Sequence, residues 1–266
     1  MELLDIIEHI EKTAPLHLAA GWDNSGVQVA SFRKKVTHVG VTLDPSVRSV
    51  GQALEAGADF LLTHHPLTMK PRFPDVADSY LEVLSMLLKR DVCLYSAHTT
   101  LDANPRGPVR WLAQRLGLVR VTVLEPEGRL TRSKGEETEE EFGFGFVGDL
   151  PKSLPYREFC ACLARAIGKA EWQTMGPEVE MVSRVACCPG SGGSLFAFAS
   201  QAGADLYITG DIKYHAALEA SVRTLDVGHF CIEEEMMRSF AETLGRELAV
   251  PVTFFPAIDP IAIERV

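Results

Sequence analysis

The sequence predicts an α/β protein made of two related Rossmann-like halves, and three observations predict it. Short apolar runs alternate with helix-periodic stretches, a segment near the front recurs near the back at a constant offset, and polar residues cluster where apolar runs end. Strand-helix-strand alternation of this kind points to largely parallel sheets. The chain has 266 residues, 46% of them hydrophobic, enough to bury a core in one large domain or two ordinary ones.

The elements follow in order. Leu3, Ile6, Ile7 and Ile10 recur at helical spacing and open the chain on a helix. Gly21-Trp22-Asp23-Asn24-Ser25-Gly26 reads as a turn leading into Val27-Gln28-Val29. Strand-like runs follow at 36–43, 60–62, 92–95, 182–188, 206–208 and 225–227. Between them the pattern predicts helices near 46–56, 79–90, 108–117, 155–168, 194–202, 214–221 and 232–247. The break in this alternation is the charged stretch 125–141, read as a solvated interdomain connection. The expected domains are therefore 1–124 with 248–266, and 125–247.

Aligning 36–63 with 182–209 needs no gap at an offset of 146 and yields eight identities over 28 positions. They include the block Ala56-Gly57-Ala58-Asp59 against Ala202-Gly203-Ala204-Asp205, and Thr63 against Thr209. Beyond the repeat each half reaches a histidine followed four residues later by a carboxylate, His98/Asp102 and His229/Glu233. The unbroken register argues for an internal duplication, and two such halves leave a cleft between them where a site is expected.

Charge and cysteine usage narrow the function. A net charge of −10 gives no global attraction to nucleic acid or an anionic membrane, so nucleic acid is not expected as a partner. An anionic substrate would have to be drawn by bound metal or a few local cations. The six cysteines form no spaced framework, which fits a reduced, cytoplasmic protein. The acidic start Met1-Glu2-Leu3-Leu4-Asp5 and the lack of a long apolar run speak against a signal peptide or membrane anchor.

Chemistry-bearing residues gather at three strand ends. Thr63-His64-His65-Pro66 follows Phe60-Leu61-Leu62, and in open α/β sheets ligands bind beyond the carboxyl ends of strands. In a regular strand the two imidazoles would face opposite ways. At a strand end they can reach two metals, or one metal and a supporting group. Tyr95-Ser96-Ala97-His98-Thr99-Thr100-Leu101-Asp102 offers Asp102 as a ligand or, less fittingly because it lies several residues ahead, as a cap for the helix near Pro108, with His98 as ligand, proton relay or structural histidine. Gly228-His229 precedes a helix whose first turn carries Glu233, where the helix dipole alone already favours a carboxylate. The set His64, His65, Asp102, His229 and Glu233, imidazole and carboxylate without thiolate, suits zinc, iron(II) or manganese. Five ligands exceed the usual three of a single catalytic zinc and fit two ions. Pro189-Gly190-Ser191-Gly192-Gly193-Ser194 reads equally as a phosphate cradle or a tight turn. Asp211 and His215 are read as supporting or substrate-side groups, and Asp211 equally as a helix cap.

Taken in order, Trp22-Asp23-Asn24-Ser25-Gly26-Val27-Gln28-Val29, Thr63-His64-His65-Pro66-Leu67, Ser96-Ala97-His98-Thr99-Thr100-Leu101-Asp102, Gly190-Ser191-Gly192-Gly193-Ser194, Ile208-Thr209-Gly210-Asp211-Ile212-Lys213 and Gly228-His229 with Glu233 resemble the NGG1-interacting-factor-three-like family, often labelled GTP cyclohydrolase 1 type 2. The resemblance spans nearly the whole chain and implies a dinuclear metal centre between two α/β domains, in a homohexamer. It implies the same five ligands and places His98 and His215 near the centre without ligand status. Thr100 departs from the family's usual Asn, and Arg106-Gly107-Pro108-Val109-Arg110 from its Gly-rich helix start. The large central insertion of some relatives is replaced by the short charged stretch 125–141. The expected protein is a dinuclear metal-dependent hydrolase of a nucleotide or other phosphate-containing small molecule, with His98 or His215 as proton shuttle. The alternative is a metal-binding adaptor without catalysis.

Overall fold

The computed structural model describes residues 1–131 and 139–264. They form a mixed α/β fold with two sheets, and the chain divides into two compact units, Met1–Leu101 with Met236–Val266, and Asp102–Glu235. Elements are numbered in chain order.

The first unit holds the helices α1 (Leu3–Thr13), α2 (Val47–Glu55) and α3 (Ser79–Arg90), and the strands β1 (Gly26–Val29), β2 (Val39–Thr42), β3 (Phe60–Thr63) and β4 (Cys93–Ser96). It also holds β11 (Val252–Phe254), from the far end of the chain. The sheet order is β1-β4-β3-β2-β11, with β1 antiparallel at one edge and the other four strands parallel. Strands β2, β3 and β4 are buried along their whole length, which is why they read as unbroken apolar runs. Ser46 caps α2 through the amide of Ser49, and Asp78 caps α3 through that of Leu81. Val50, Leu54, Val83 and Leu87 from these helices pack on Leu61 and Leu94 of the sheet. Each such side chain contributes about 1.5–3 kcal/mol when fully buried.

A short helix α4 (Thr99–Asp102) follows β4, one the sequence pattern did not predict. The second unit then carries α5 (Trp111–Arg115), entered by a 3₁₀ turn over Pro108–Arg110, and the strands β5 (Val119–Thr131) and β6 (Glu139–Pro155). After these come α6 (Tyr156–Ile167), β7 (Gln173–Met175), β8 (Met181–Ser191), α7 (Phe196–Gln201), β9 (Leu206–Gly210), α8 (Tyr214–Leu218) and β10 (Arg223–Asp226), and then α9 (Phe230–Glu247), whose residues from Met236 onward count with the first unit. The sheet order is β5-β6-β8-β9-β10-β7. The β8–β9 and β9–β10 pairings are parallel and the other three are antiparallel, so this sheet is mixed.

The main correction to the sequence reading lies in the charged stretch 125–141. Glu125 to Thr131 and Glu139 to Glu141 are strand residues, paired Glu125 with Phe144 and Arg129 with Glu141 in an antiparallel hairpin. Residues 132–138, the middle of the run, lie outside the described residues. Two features account for the strands. Phe142, Phe144 and Phe146 alternate with Gly143 and Gly145, a period of two, and Arg129 forms ion pairs with Glu139 and Glu141 across the hairpin.

The offset of 146 read in the sequence recurs in the hydrogen bonds. Val39 pairs with Phe60 between β2 and β3, and Val185 with Leu206 between β8 and β9. Asp59 accepts from the amides of Thr37 and His38, and Asp205 from those of Ser183 and Arg184. Just past the strand ends the acceptors keep that offset but the donors do not: Ala97 donates to the carbonyl of Thr63 and Val227 to that of Thr209, each at 2.9 Å.

Candidate metal centre

Beyond β3 the chain leaves strand geometry at once. The amides of His64 and His65 both donate to the single carbonyl of Leu43, each at 3.1 Å. That shared acceptor folds the pair into a turn and overrides the alternation that would send the rings to opposite faces. The two ring centroids lie 5.0 Å apart. His64 is fully buried, and its Nδ1 lies 2.9 Å from the carbonyl oxygen of Ala97. A carbonyl only accepts, so Nδ1 carries the hydrogen and the lone pair sits on Nε2. His65 Nδ1 lies 2.7 Å from Asp44 Oδ1, which sets the same tautomer.

His98 joins this pair. Its ring centroid is 5.1 Å from that of His64 and 5.5 Å from that of His65. One ring nitrogen from each of the three lies within 4.8 Å of the others. His98 Nδ1 donates to Asp23 at 2.7 Å, and the Asp23 side chain is completely buried. Ser25 and the amide and hydroxyl of Thr99 also donate to Asp23. Burial alone would raise the Asp23 pKa, but these hydrogen bonds and the charge of His98 outweigh it and hold the carboxyl well below its usual range. The Trp22-Asp23-Asn24 turn, to which the sequence assigned no role, thus orients His98, with Trp22 edge-on to the His98 ring at 5.9 Å.

In the second unit, Asp211 Oδ2 accepts from His229 Nδ1 at 2.7 Å, and His229 Nε2 lies 2.9 Å from Glu233 Oε2. An imidazole with a carboxyl group at each nitrogen is satisfied when the ring is doubly protonated, when the second carboxyl carries the proton, or when a cation sits at that face. Two ligand atoms 2.9 Å apart can bind one ion at metal–ligand distances of about 2.0–2.2 Å. Asp211 takes up a left-handed backbone, φ +57°, to make this contact, a conformation a non-glycine residue adopts at some cost. Glu233 is only 4% exposed. Burial pushes the Cys188 thiol far up, and the charges of Asp102, Glu233 and Glu125 push it further, so three carboxylates act on this buried spot.

The Gly-rich segment serves this spot. Gly190 has φ +66°, and a Cβ there would sit 2.4 Å from Glu233 Oε1. Glycine lets the buried carboxylate approach the backbone. The Gly192 amide donates to Thr209 Oγ1 at 3.0 Å and is therefore engaged within the protein.

Comparison with known proteins decides the family. The profile of the Duf34/NIF3 (NGG1p interacting factor 3) family matches residues 1–260. The chain belongs to the NIF3 family. It is 32% identical over 259 residues to the GTP cyclohydrolase 1 type 2 homolog of Clostridium perfringens, covering 96% of this chain and 95% of that protein. To the homolog of the same name from Methanocaldococcus jannaschii it is 30% identical, covering 95% and 98%. Among solved structures, reduced HcgD from Methanocaldococcus jannaschii matches with a TM-score of 0.81 at 29% identity, over 96% of this chain and 98% of that one. A Bacillus cereus protein related to NIF3 matches over 99% of both chains with a TM-score of 0.85, a likeness of fold at 21% identity.

In this NIF3-family chain the residues singled out from sequence lie as follows. His64 and His65 share one turn of the first unit with His98 beside them. His229 directly precedes α9, whose first turn carries Glu233, and Asp102 ends α4. His215 lies exposed on α8, edge-on to Tyr214. Asp44, which sequence reasoning missed, is the partner of His65, and it stands directly after the β2 run, where a strand-end rule would have found it. No helix among the described residues is long and apolar enough to cross a membrane.

Proposed function

We propose that this NIF3-family chain binds two divalent metal ions through His64, His65, Asp102, His229 and Glu233, and uses them to hydrolyse a nucleotide or another phosphate-bearing small molecule. One observation carries the reading. His64, His65 and His229 each donate from Nδ1 to an oxygen, of Ala97, Asp44 and Asp211 respectively, which turns Nε2 into the available ligand atom. Metal-bound histidines are held in this way, the outer partner fixing tautomer and ring direction. The buried carboxylate of Glu233 beside His229 supports it, because a buried charge needs a cation.

When bound, such ions lower the pKa of water toward neutrality and polarise the bond under attack. The chain's own residues do the rest. Asp44, Asp211 and the Ala97 carbonyl keep the imidazoles in one tautomer. His98, held at Nδ1 by Asp23, accepts or relays a proton at Nε2. His215 on α8 is the second choice for that role. With a net charge of −10 the chain itself repels anions, so bound metal is the main attraction for a phosphate-bearing substrate. The name of the relatives, GTP cyclohydrolase 1 type 2 homolog, makes guanine nucleotides the first compounds to try. The same reading takes the protein as a cytoplasmic homohexamer.

Metal analysis of the parent, His64→Ala and Glu233→Ala chains, followed by turnover of a nucleotide and phosphate panel with and without metal, tests the proposal. Two ions per parent chain, fewer in both folded variants, and hydrolysis that follows occupancy are the expected results. Unchanged metal content in both variants refutes the ligand set. Full occupancy without turnover of any compound favours an adaptor.

A further inference from the structure

The parallel strands of the first unit end in a row of hydroxyls. Thr42 pairs with Thr63 in register, Thr63 pairs with Ser96, and all three are fully buried. Two of them reach the ligand-bearing turn. Thr63 Oγ1 donates to the carbonyl of His65 at 2.8 Å, and Ser96 Oγ to the carbonyl of His64 at 2.6 Å. Thr42 Oγ1, in the same row, has no hydrogen-bond partner among the described residues. Since Leu43 takes both amides, every main-chain polar group of the His64-His65 pair is bonded. Ser96 also leads directly into Ala97, whose amide holds Thr63 and whose carbonyl holds the His64 ring at 2.9 Å.

We propose that Thr63 and Ser96 are positioning residues that set the metal affinity of the His64-His65 pair, an inference that rests on the metal-binding reading above. The turn opposes the natural alternation of a strand, so something must hold its two carbonyls as firmly as Leu43 holds its two amides. Ligand atoms must be kept within about 0.5 Å of their working positions, and ring direction follows the peptide planes on either side. Removing either hydroxyl leaves a carbonyl in a buried place without its donor. The peptide then rotates toward another partner and carries the imidazole with it. Thr42 is the internal control, equal in burial and place in the row but bonded to nothing in the turn.

The test measures cobalt(II) affinity of the full-length chain by chelator competition, together with the visible spectrum of the bound ion. Thr63→Val and Ser96→Ala are expected to weaken cobalt binding about 10–100-fold and to alter the spectrum. Thr42→Val should match the parent in both, and Thr63→Ser, which keeps the hydroxyl, should retain parental affinity. If Thr63→Val fails to fold, the comparison of Ser96→Ala with Thr42→Val decides. Parental affinity and spectrum in Ser96→Ala and in any folded Thr63→Val overturn the inference, as does an equal loss in Thr42→Val. A parent that binds no cobalt, or binding unaffected by His64→Ala, overturns the underlying metal reading and this inference with it.

Discussion

Replacing Gly190 with alanine separates a backbone cost from a displaced ligand. Gly190 has φ +66°, and the added Cβ would lie 2.4 Å from Glu233 Oε1 and 3.4 Å from His229 Cε1. The left-handed backbone costs an L-residue about 1–2 kcal/mol. The steric term is separate: the carboxylate oxygen must retreat by about 1 Å to regain ordinary contact, since the spacing is 2.4 Å. Gly203 supplies the control, with φ +69° and nothing within 4 Å of its Cβ. Both variants should therefore lose about 1–2 kcal/mol in chemical denaturation of metal-free protein, read from the shift in midpoint. Only Gly190→Ala should also lose metal, by about 10-fold or more, because a ligand moved by 1 Å no longer meets its ion. Isothermal titration of both variants with zinc or manganese gives the answer. Equal metal affinity for Gly190→Ala and Gly203→Ala would show that Glu233 does not bind metal from its position beside Gly190.

Three further outcomes are expected. Asp23 is held well below the usual carboxylate range, so the stability it contributes is full above that range and is lost as pH falls through it toward the folded value; Asp23→Asn should flatten the acid limb of Tm against pH, and an unchanged limb would remove Asp23 from the account. Asp59→Ala and Asp205→Ala should each cost about 1.5–3 kcal/mol by denaturant titration, because each leaves two amides without their charged acceptor; a neutral result in both would deny these repeated contacts a structural role. A thiol reagent at about pH 8 should modify at most the three partly exposed cysteines of the native chain, Cys160, Cys162 and Cys231, since burial pushes Cys93 up to about 11 and Cys187 and Cys188 well up; labelling of all six without unfolding would contradict that burial.

Much of the fold was legible because the buried parallel strands announce themselves. The runs at 60–62 and 206–208 are strands β3 and β9, and the helix expected near 79–90 is α3 over Ser79–Arg90. What failed was the hairpin β5-β6. Its pairing rests on cross-strand partners such as Arg129 with Glu139, and charge composition alone looked like a loop. The three-residue strand β7, only partly buried at Met175 and exposed before it, left no apolar signature at all.

The candidate site divides along the same line. Residue types that can bind metal are a local signal at strand ends, so the histidines and carboxylates could be named from sequence. What fixes their chemistry is long-range: His65 meets Asp44 across 21 residues, His64 meets Ala97 across 33, and His98 meets Asp23 across 75. Those partners are set by which strand lies beside which, and β2, β3 and β4 become neighbours only on folding. Their order places Asp44, the His64-His65 turn and Ala97 just past the ends of three adjacent strands. Three peptides distant in the chain thereby acquire complementary donors and acceptors. Once that order exists, a carbonyl from Leu43 can fold the histidine pair, and hydroxyls from Thr63 and Ser96 can hold it. The candidate ligands can therefore be read one residue at a time, but the geometry that would make them bind belongs to the sheet.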